Sequence, residues 1–303
     1  MPISDAGSQG IHIPVMTNEV VTQLNPHPDG RYLDCTVGGG GHSLALLEAG
    51  AGQVLGIDRD SDAIATATTT LSKWSARVEL AHADFRDIDK VLDSYGVSTV
   101  DGAVTDLGVS SLQFAGVGRG FSFRRDEPLD MRMDQSQGRT AADILREIPE
   151  STLADLIYKY GEERYSRRIA RKIIETRQQV PLTTTGQLAS LVRAVVPRRR
   201  HSRIDPATRT FQALRILVND ELDRLDDFFR SICRRLRGGA SIAVITFHSL
   251  EDRIVKTVFR ELNTGDNALV RVVTKRPKRP TQEEVAQNPR ARSAKFRAAE
   301  RLM

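Results

Sequence analysis

Four consecutive glycines, Gly38 to Gly41 in "YLDCTVGGGGHS", lie between an apolar run and a helical pattern. Glycine tolerates positive φ and lets backbone N–H groups come up against a bound molecule. Asp58 closes the next apolar run, "QVLGID", where a carboxylate can accept hydrogen bonds from the ribose hydroxyls of a nucleoside cofactor. A dinucleotide fingerprint would need a third glycine at residue 43 or 44, and Ser43 and Leu44 stand there. That weakens a nicotinamide cofactor but leaves it open; S-adenosylmethionine uses the same geography without a pyrophosphate.

Asp84 and Phe85 follow a third apolar run, as an acid and an aromatic that could hold the edge and face of an adenine, or equally as a helix cap and a core residue. Asp106 ends a fourth, in "AVTDLGVSS". Methyl transfer to nitrogen gives that carboxylate a role. The lone pair of an exocyclic nucleobase amine is spread into the ring, so an acceptor for its N–H localises density during attack and takes the proton afterwards. A carbon-5 pyrimidine methyltransferase would need a cysteine nucleophile, usually beside a proline. Cys35 falls in the first strand and Cys233 on a helix, neither next to proline. The six histidines show no metal spacing, so no metal is expected.

Charge points to a polyanion. The chain carries 44 Lys and Arg against 39 Asp and Glu. Residues 271 to 303 alone hold ten basic and three acidic side chains, and residues 191 to 215 hold seven arginines against Asp205. Two basic clusters on a nearly neutral body fit nucleic acid met at defined places. "PRRRHSRIDPATR" offers Arg198, Arg199, Arg200, Arg203 and Arg209 to phosphates, and "NPRARSAKFR" offers Arg290, Arg292, Lys295 and Arg297. Phe121, Phe123, Arg124 and Arg125 combine stacking with charge, the alternative being a hydrophobic plug over the sheet.

The elements that must position these residues alternate strand and helix from residue 31 to 106, which implies an α/β fold with a doubly wound, mostly parallel sheet and ligands at the strands' carboxyl ends. A loop over 107–135 follows, then only helical signals: Thr140 with Asp143 and Thr184 with Gln187 at capping-box spacing, and Gly161 and Pro181 at helix ends. Phe211, Leu214, Val218, Leu222, Leu225, Phe229, Ile232 and Leu236 extend one long amphipathic helix from about Pro206. "ASIAVITFHS" then resumes the sheet, with His248 at the strand end and Ser249 and Asp252 as a capping pair, and the tail from Lys275 reads as extended. The expected organisation is a core over 1–135, an all-helical insertion over 136–205 that binds substrate, and a second core part over 206–303 with a basic tail. The first ten residues lack the regions of a signal peptide and no apolar run is long enough to cross a bilayer, which places the expected protein in the cytoplasm.

Taken together, "HIPVM", "GGGGHS", "IDRD", "TDLGVSSLQ", "RGFSF", "PLDMRMD", "YGEER", "PATRTFQALRILVNDEL", "TFHSLEDRIVK" and "NPRARSAKFRAAER" resemble, in order, the signatures of the bacterial 16S ribosomal RNA cytosine-N4 methyltransferase family, also called MraW, from His12 to Arg301. The resemblance implies a Rossmann-like class I methyltransferase fold with S-adenosyl-L-methionine as cofactor. The substrate it implies is a cytosine, methylated on N4, in the decoding centre of 16S rRNA in the small ribosomal subunit. It maps the cofactor positions onto Gly40, Gly41, His42, Asp58, Phe85, Asp106 and Gln113, and puts Asp106 in the catalytic position. Two departures are Asp205, where a histidine is expected before "PATRT", and Val37, where a larger Phe or Leu is common. The rivals are a small-molecule or nicotinamide enzyme, which leaves the basic clusters idle, and a non-catalytic ribosome-assembly factor, which leaves the glycines and Asp58 unexplained.

Overall fold

The computed structural model describes residues 14–110, 113–114, 116–197 and 204–303. His12 and the expected phosphate contacts Arg198, Arg199, Arg200 and Arg203 lie outside those residues. The chain divides into two compact units, one holding residues up to Leu107 and from Asp226 onward, the other Gly108–Leu225. The second unit is thus larger than the expected insertion over 136–205. Phe121, Leu129, Met131 and Met133 from the loop, and Phe211, Ala213 and Leu214 beyond residue 205, are buried in one apolar cluster with the helices.

The first unit is built on seven strands: β1 (Arg31–Asp34), β2 (Gln53–Asp58), β3 (Val78–His82), β4 (Val100–Asp106), β5 (Leu236–Thr246), β6 (Val270–Val272) and β7 (Lys295–Arg301). Their order is β3-β2-β1-β4-β5-β7-β6. Strands β1 to β5 pair in parallel, and β7 runs antiparallel to both β5 and β6. β1 has β2 on one side and β4 on the other, so the chain reverses its winding between β1 and β4, the point at which open α/β sheets form a ligand crevice outside the carboxyl ends of the strands. Helices α1 (Thr17–Leu24), α2 (Gly41–Glu48), α3 (Ser61–Thr70) and α4 (Ile88–Ser94) accompany the first four strands. Coverage on both faces explains why Tyr32, Leu33, Ala103 and Val104 are all sealed from solvent and why these strands are apolar without alternation.

The second unit holds α5 (Ala141–Glu147), α6 (Glu150–Gly161), α7 (Ser166–Arg177), α8 (Thr185–Val195) and α9 (Thr208–Asn219). Both expected capping boxes form, Thr140 with Asp143 on α5 and Thr184 with Gln187 on α8. Asp205 accepts from the Ala207 N–H at 2.9 Å and pairs with Arg193 at 3.0 Å, so the departure from the family pattern serves the entry to α9. Phe121 is buried, and Phe123 packs on Phe211 with ring centroids 4.8 Å apart. Both phenylalanines therefore pack into the apolar cluster of the helical unit, and form neither a stacking surface nor a plug over the sheet.

Four further expectations fail for physical reasons. The long helix is two, α9 and α10 (Leu225–Arg235), because Asp220 and Arg224 take positive φ between them. Asn219 ends α9: its side-chain amide donates to Met131 O at 2.7 Å and Arg215 O at 2.9 Å, and its oxygen accepts from Met133 N at 2.7 Å. Asn219→Ala leaves buried main-chain groups without these partners and is expected to cost about 2–4 kcal/mol, read as a lowered calorimetric unfolding midpoint. The basic tail is no extended arm: α12 (Gln282–Gln287) leads into β7, whose Phe296, Ala298 and Ala299 are buried. Lys295 and Arg297 are held by Asp252 of α11 (Ser249–Leu262) at 3.1 and 2.6 Å, which removes both from the phosphate contacts. Finally, α11 is capped by His248 with Glu251, not by Ser249 with Asp252; the imidazole accepts from the Glu251 N–H while the Glu251 carboxylate accepts from His248 N. Among the described residues, no helix is long and apolar enough to cross a membrane.

Candidate active site

The glycine turn is shaped first by its own chain. Gly38 takes φ +50° and donates its N–H to Asp58 Oδ2 at 2.9 Å. Gly40 takes φ +86°, and a Cβ there would lie 3.2 Å from the Leu71 side chain; one on Gly41 would lie 3.0 Å from Pro14. A side chain is thus disfavoured by the positive φ at Gly40 and by the closeness of Pro14 at Gly41, within the first unit itself.

Asp58, at the end of β2, has its second oxygen bonded by Asp60 N at 2.9 Å. Two main-chain donors hold the carboxylate still, yet burial outweighs them and pushes it up to about 6. Asp84 lies past the end of β3. It accepts from Arg86 N at 2.9 Å and is clamped by the Arg86 guanidinium, with Arg59 3.8 Å away. Burial alone would raise its pKa, but the Arg86 contacts prevail and hold it below the usual carboxylate range. This acid is a cap and an ion-pair partner. Phe85 is half-buried with its ring 4.7 Å from that of Phe228.

Asp106 ends β4. Its N–H donates to Thr36 Oγ1 at 2.7 Å and the following N–H, of Leu107, to Ile245 O at 2.9 Å, so neighbours on both sides fix its backbone. Its Oδ1 is buried and has no hydrogen-bond partner among the described residues; its Oδ2 lies 3.6 Å from His42 Nε2. Behind this pair sits Asp34, fully buried, accepting from Ser43 Oγ at 2.8 Å and Thr36 N at 3.3 Å. Burial raises the Asp34 pKa against the opposing effect of His42. Neither Asp34 nor Thr36 was an expected site residue; the available signal was one carboxylate inside the otherwise apolar "RYLDCTV".

Six of the expected residues, Gly40, Gly41, His42, Asp58, Phe85 and Asp106, therefore belong to the first unit and cluster at the ends of β1 to β4. Gln113 belongs to the second, where it is buried and accepts from Ser110 N at 3.0 Å. Cys35 and Cys233 are buried thiols, both pushed up to about 12 by that burial, so neither is a thiolate at neutral pH. Buried carboxylates around a turn of open main chain, one with an unpartnered oxygen, fit a cationic nucleoside such as S-adenosylmethionine better than a pyrophosphate.

Comparison with known proteins agrees with this chemistry. The family model for the MraW methylase family matches residues 9–302. A ribosomal RNA small subunit methyltransferase H from Trichlorobacter lovleyi is 48% identical over 307 residues, covering 96% of this chain and 98% of that protein. One from Cyanothece sp. is 49% identical over 300 residues, covering 99% and 97%. With a match that runs through the whole sheet and the helical unit alike, the chain belongs to the MraW methylase family.

Proposed function

We propose that this chain methylates the exocyclic N4 of a cytosine in the decoding centre of 16S rRNA, using S-adenosylmethionine, with the small ribosomal subunit as substrate. When bound, the cofactor supplies an electrophilic methyl group on a sulfonium. Asp58 would accept from its ribose hydroxyls, Phe85 would lie against its adenine, and the main chain of Gly38 to Gly41 would line it. Gln113 is assigned to the cofactor on family resemblance alone. Asp106 Oδ1 would accept the amine N–H of the cytosine and then its proton. Two thiols held protonated speak against a carbon-5 mechanism.

The observation that carries this reading is the buried, unpartnered Oδ1 of Asp106 at the end of β4, facing no competing donor among the described residues. A base stacked or paired in RNA must be extruded to reach such an atom. Support for RNA on the helical unit comes from α7, which exposes Arg167, Arg168, Arg171 and Lys172, and on the first unit from exposed Arg290 and Arg292. The test is to incubate the protein and labelled cofactor with unmethylated small subunits and identify the modified nucleoside by mass spectrometry. N4-methylcytidine is expected; methyl on carbon 5, on ribose, or nowhere overturns the proposal.

A further inference from the structure

His42 is 5% exposed, and neither of its ring nitrogens has a hydrogen-bond partner among the described residues. A histidine buried for structural reasons is normally satisfied by main chain or side chains. This one instead aims Nε2 at Asp106 Oδ2, 3.6 Å away, at the first turn of a helix whose next residue, Ser43, is bonded to Asp34. A general cofactor contact on that glycine turn needs main chain only and gives no reason for an imidazole.

We propose that His42 is a positioning residue for methyl transfer: from the first turn of α2 it holds the Asp106 carboxylate by Oδ2, leaving Oδ1 directed at the acceptor amine. The inference rests on the reading of Asp106 given above. The charged groups that face His42 are Asp106 at the end of β4, Asp34 at the end of β1 and Glu284 on α12. Burial by itself would lower the pKa of the ring, but the contact with Asp106, then the charges of Asp106, Asp34 and Glu284, raise it above 6.5. These contacts favour the charged ring over a free imidazole, and the charge is lost on the alkaline side of the titration. With it goes any stability it contributes, which is full below the unfolded-state value and disappears as pH rises through the folded one.

Two readouts test this. In the cofactor-free protein, an imidazole NMR titration is expected to give His42 a midpoint above 6.5. Asp106→Asn should lower that midpoint by about one unit, and Asp34→Asn or Glu284→Gln by less. In single turnover on small subunits, the wild-type rate should decline on the alkaline side with the His42 midpoint. His42→Gln, which keeps a donor and loses the charge, is assayed at S-adenosylmethionine concentrations shown by calorimetry to saturate it. Its single-turnover rate should nevertheless be about tenfold or more lower, with the alkaline decline gone. A His42 midpoint that ignores Asp106→Asn, or a His42→Gln variant with the wild-type rate and pH profile, overturns the inference. An active Asp106→Ala overturns the underlying reading instead, so the two failures are distinguishable.

Discussion

Asp106→Ala is expected to lower the methyl-transfer rate at saturating cofactor and small subunit by about 10²–10⁴-fold, the usual range for losing a positioned proton acceptor. The fold should survive the change. Oδ1 of the carboxylate has no hydrogen-bond partner among the described residues and Oδ2 lies 3.6 Å from His42 Nε2, whereas residue 106 is fixed through its backbone: its N–H on Thr36 Oγ1, its register opposite Ile245 in β5, and Cys35 N on Val104 O. Subunit affinity, measured by filter binding, should accordingly stay within a few-fold of wild type, and the rates are compared at cofactor concentrations shown by calorimetry to saturate each variant. Asp106→Asn sharpens the test, because an amide oxygen can still accept from the amine but cannot take its proton at neutral pH. If Asn restores most of the rate lost in Ala, orientation dominates; if Asn is as slow as Ala, proton transfer does. A fully active Ala variant removes residue 106 from the chemistry altogether.

The parts of this site legible in the sequence are those in which one residue type ends one local pattern. Asp58 and Asp106 terminate apolar runs, and they terminate β2 and β4. Thr140 and Thr184 carry their capping partners three residues on, a purely local relation. What the sequence hides is decided at long range. Apolar spacing runs unbroken from Phe211 to Leu236, yet the helix stops at Asn219 because that side chain is committed to Met131 and Met133, which lie far back in the chain. The tail reads as a basic arm because Lys295 and Arg297 mask the apolar content of β7, and Arg297 can be buried only because Asp252 meets it. One local relation is hidden as well: histidine seldom caps a helix, and His248 does so here because Glu251 reciprocates. Two long-range cases thus precede the one at the site. The Asp34–His42–Asp106 cluster is a third case: three residues from two strand ends and one helix start, joined by a glycine turn that gives no hint of which side chains it brings inward.

Asp58 carries the other large effect, on binding and not on rate. Hydrogen bonds to a charged acceptor contribute about 1.5–3 kcal/mol each, so losing both ribose contacts in Asp58→Ala should weaken S-adenosylmethionine binding by about 10²–10⁴-fold at pH 7.5, with little change in kcat at saturating cofactor. The pH dependence is more diagnostic than the magnitude. In the cofactor-free protein this carboxyl is pushed up to about 6 from an ordinary value of 3.8, because burial outweighs the donors Asp60 N and Gly38 N. For the folded chain alone, that upward shift is a stability term present below 3.8 and lost as pH rises through about 6, so ionised Asp58 is a strain that a pair of ribose hydroxyls would relieve. A ligand that needs the ionised form must expel one proton from each molecule it binds below that pH. Wild-type affinity should therefore fall as pH drops through about 6, approaching tenfold per unit, while the affinity of Asp58→Asn stays level across the same range. Wild-type affinity that is flat from pH 7.5 to 5 would mean the carboxylate does not meet the cofactor, and the ribose would have to be sought elsewhere on the crevice.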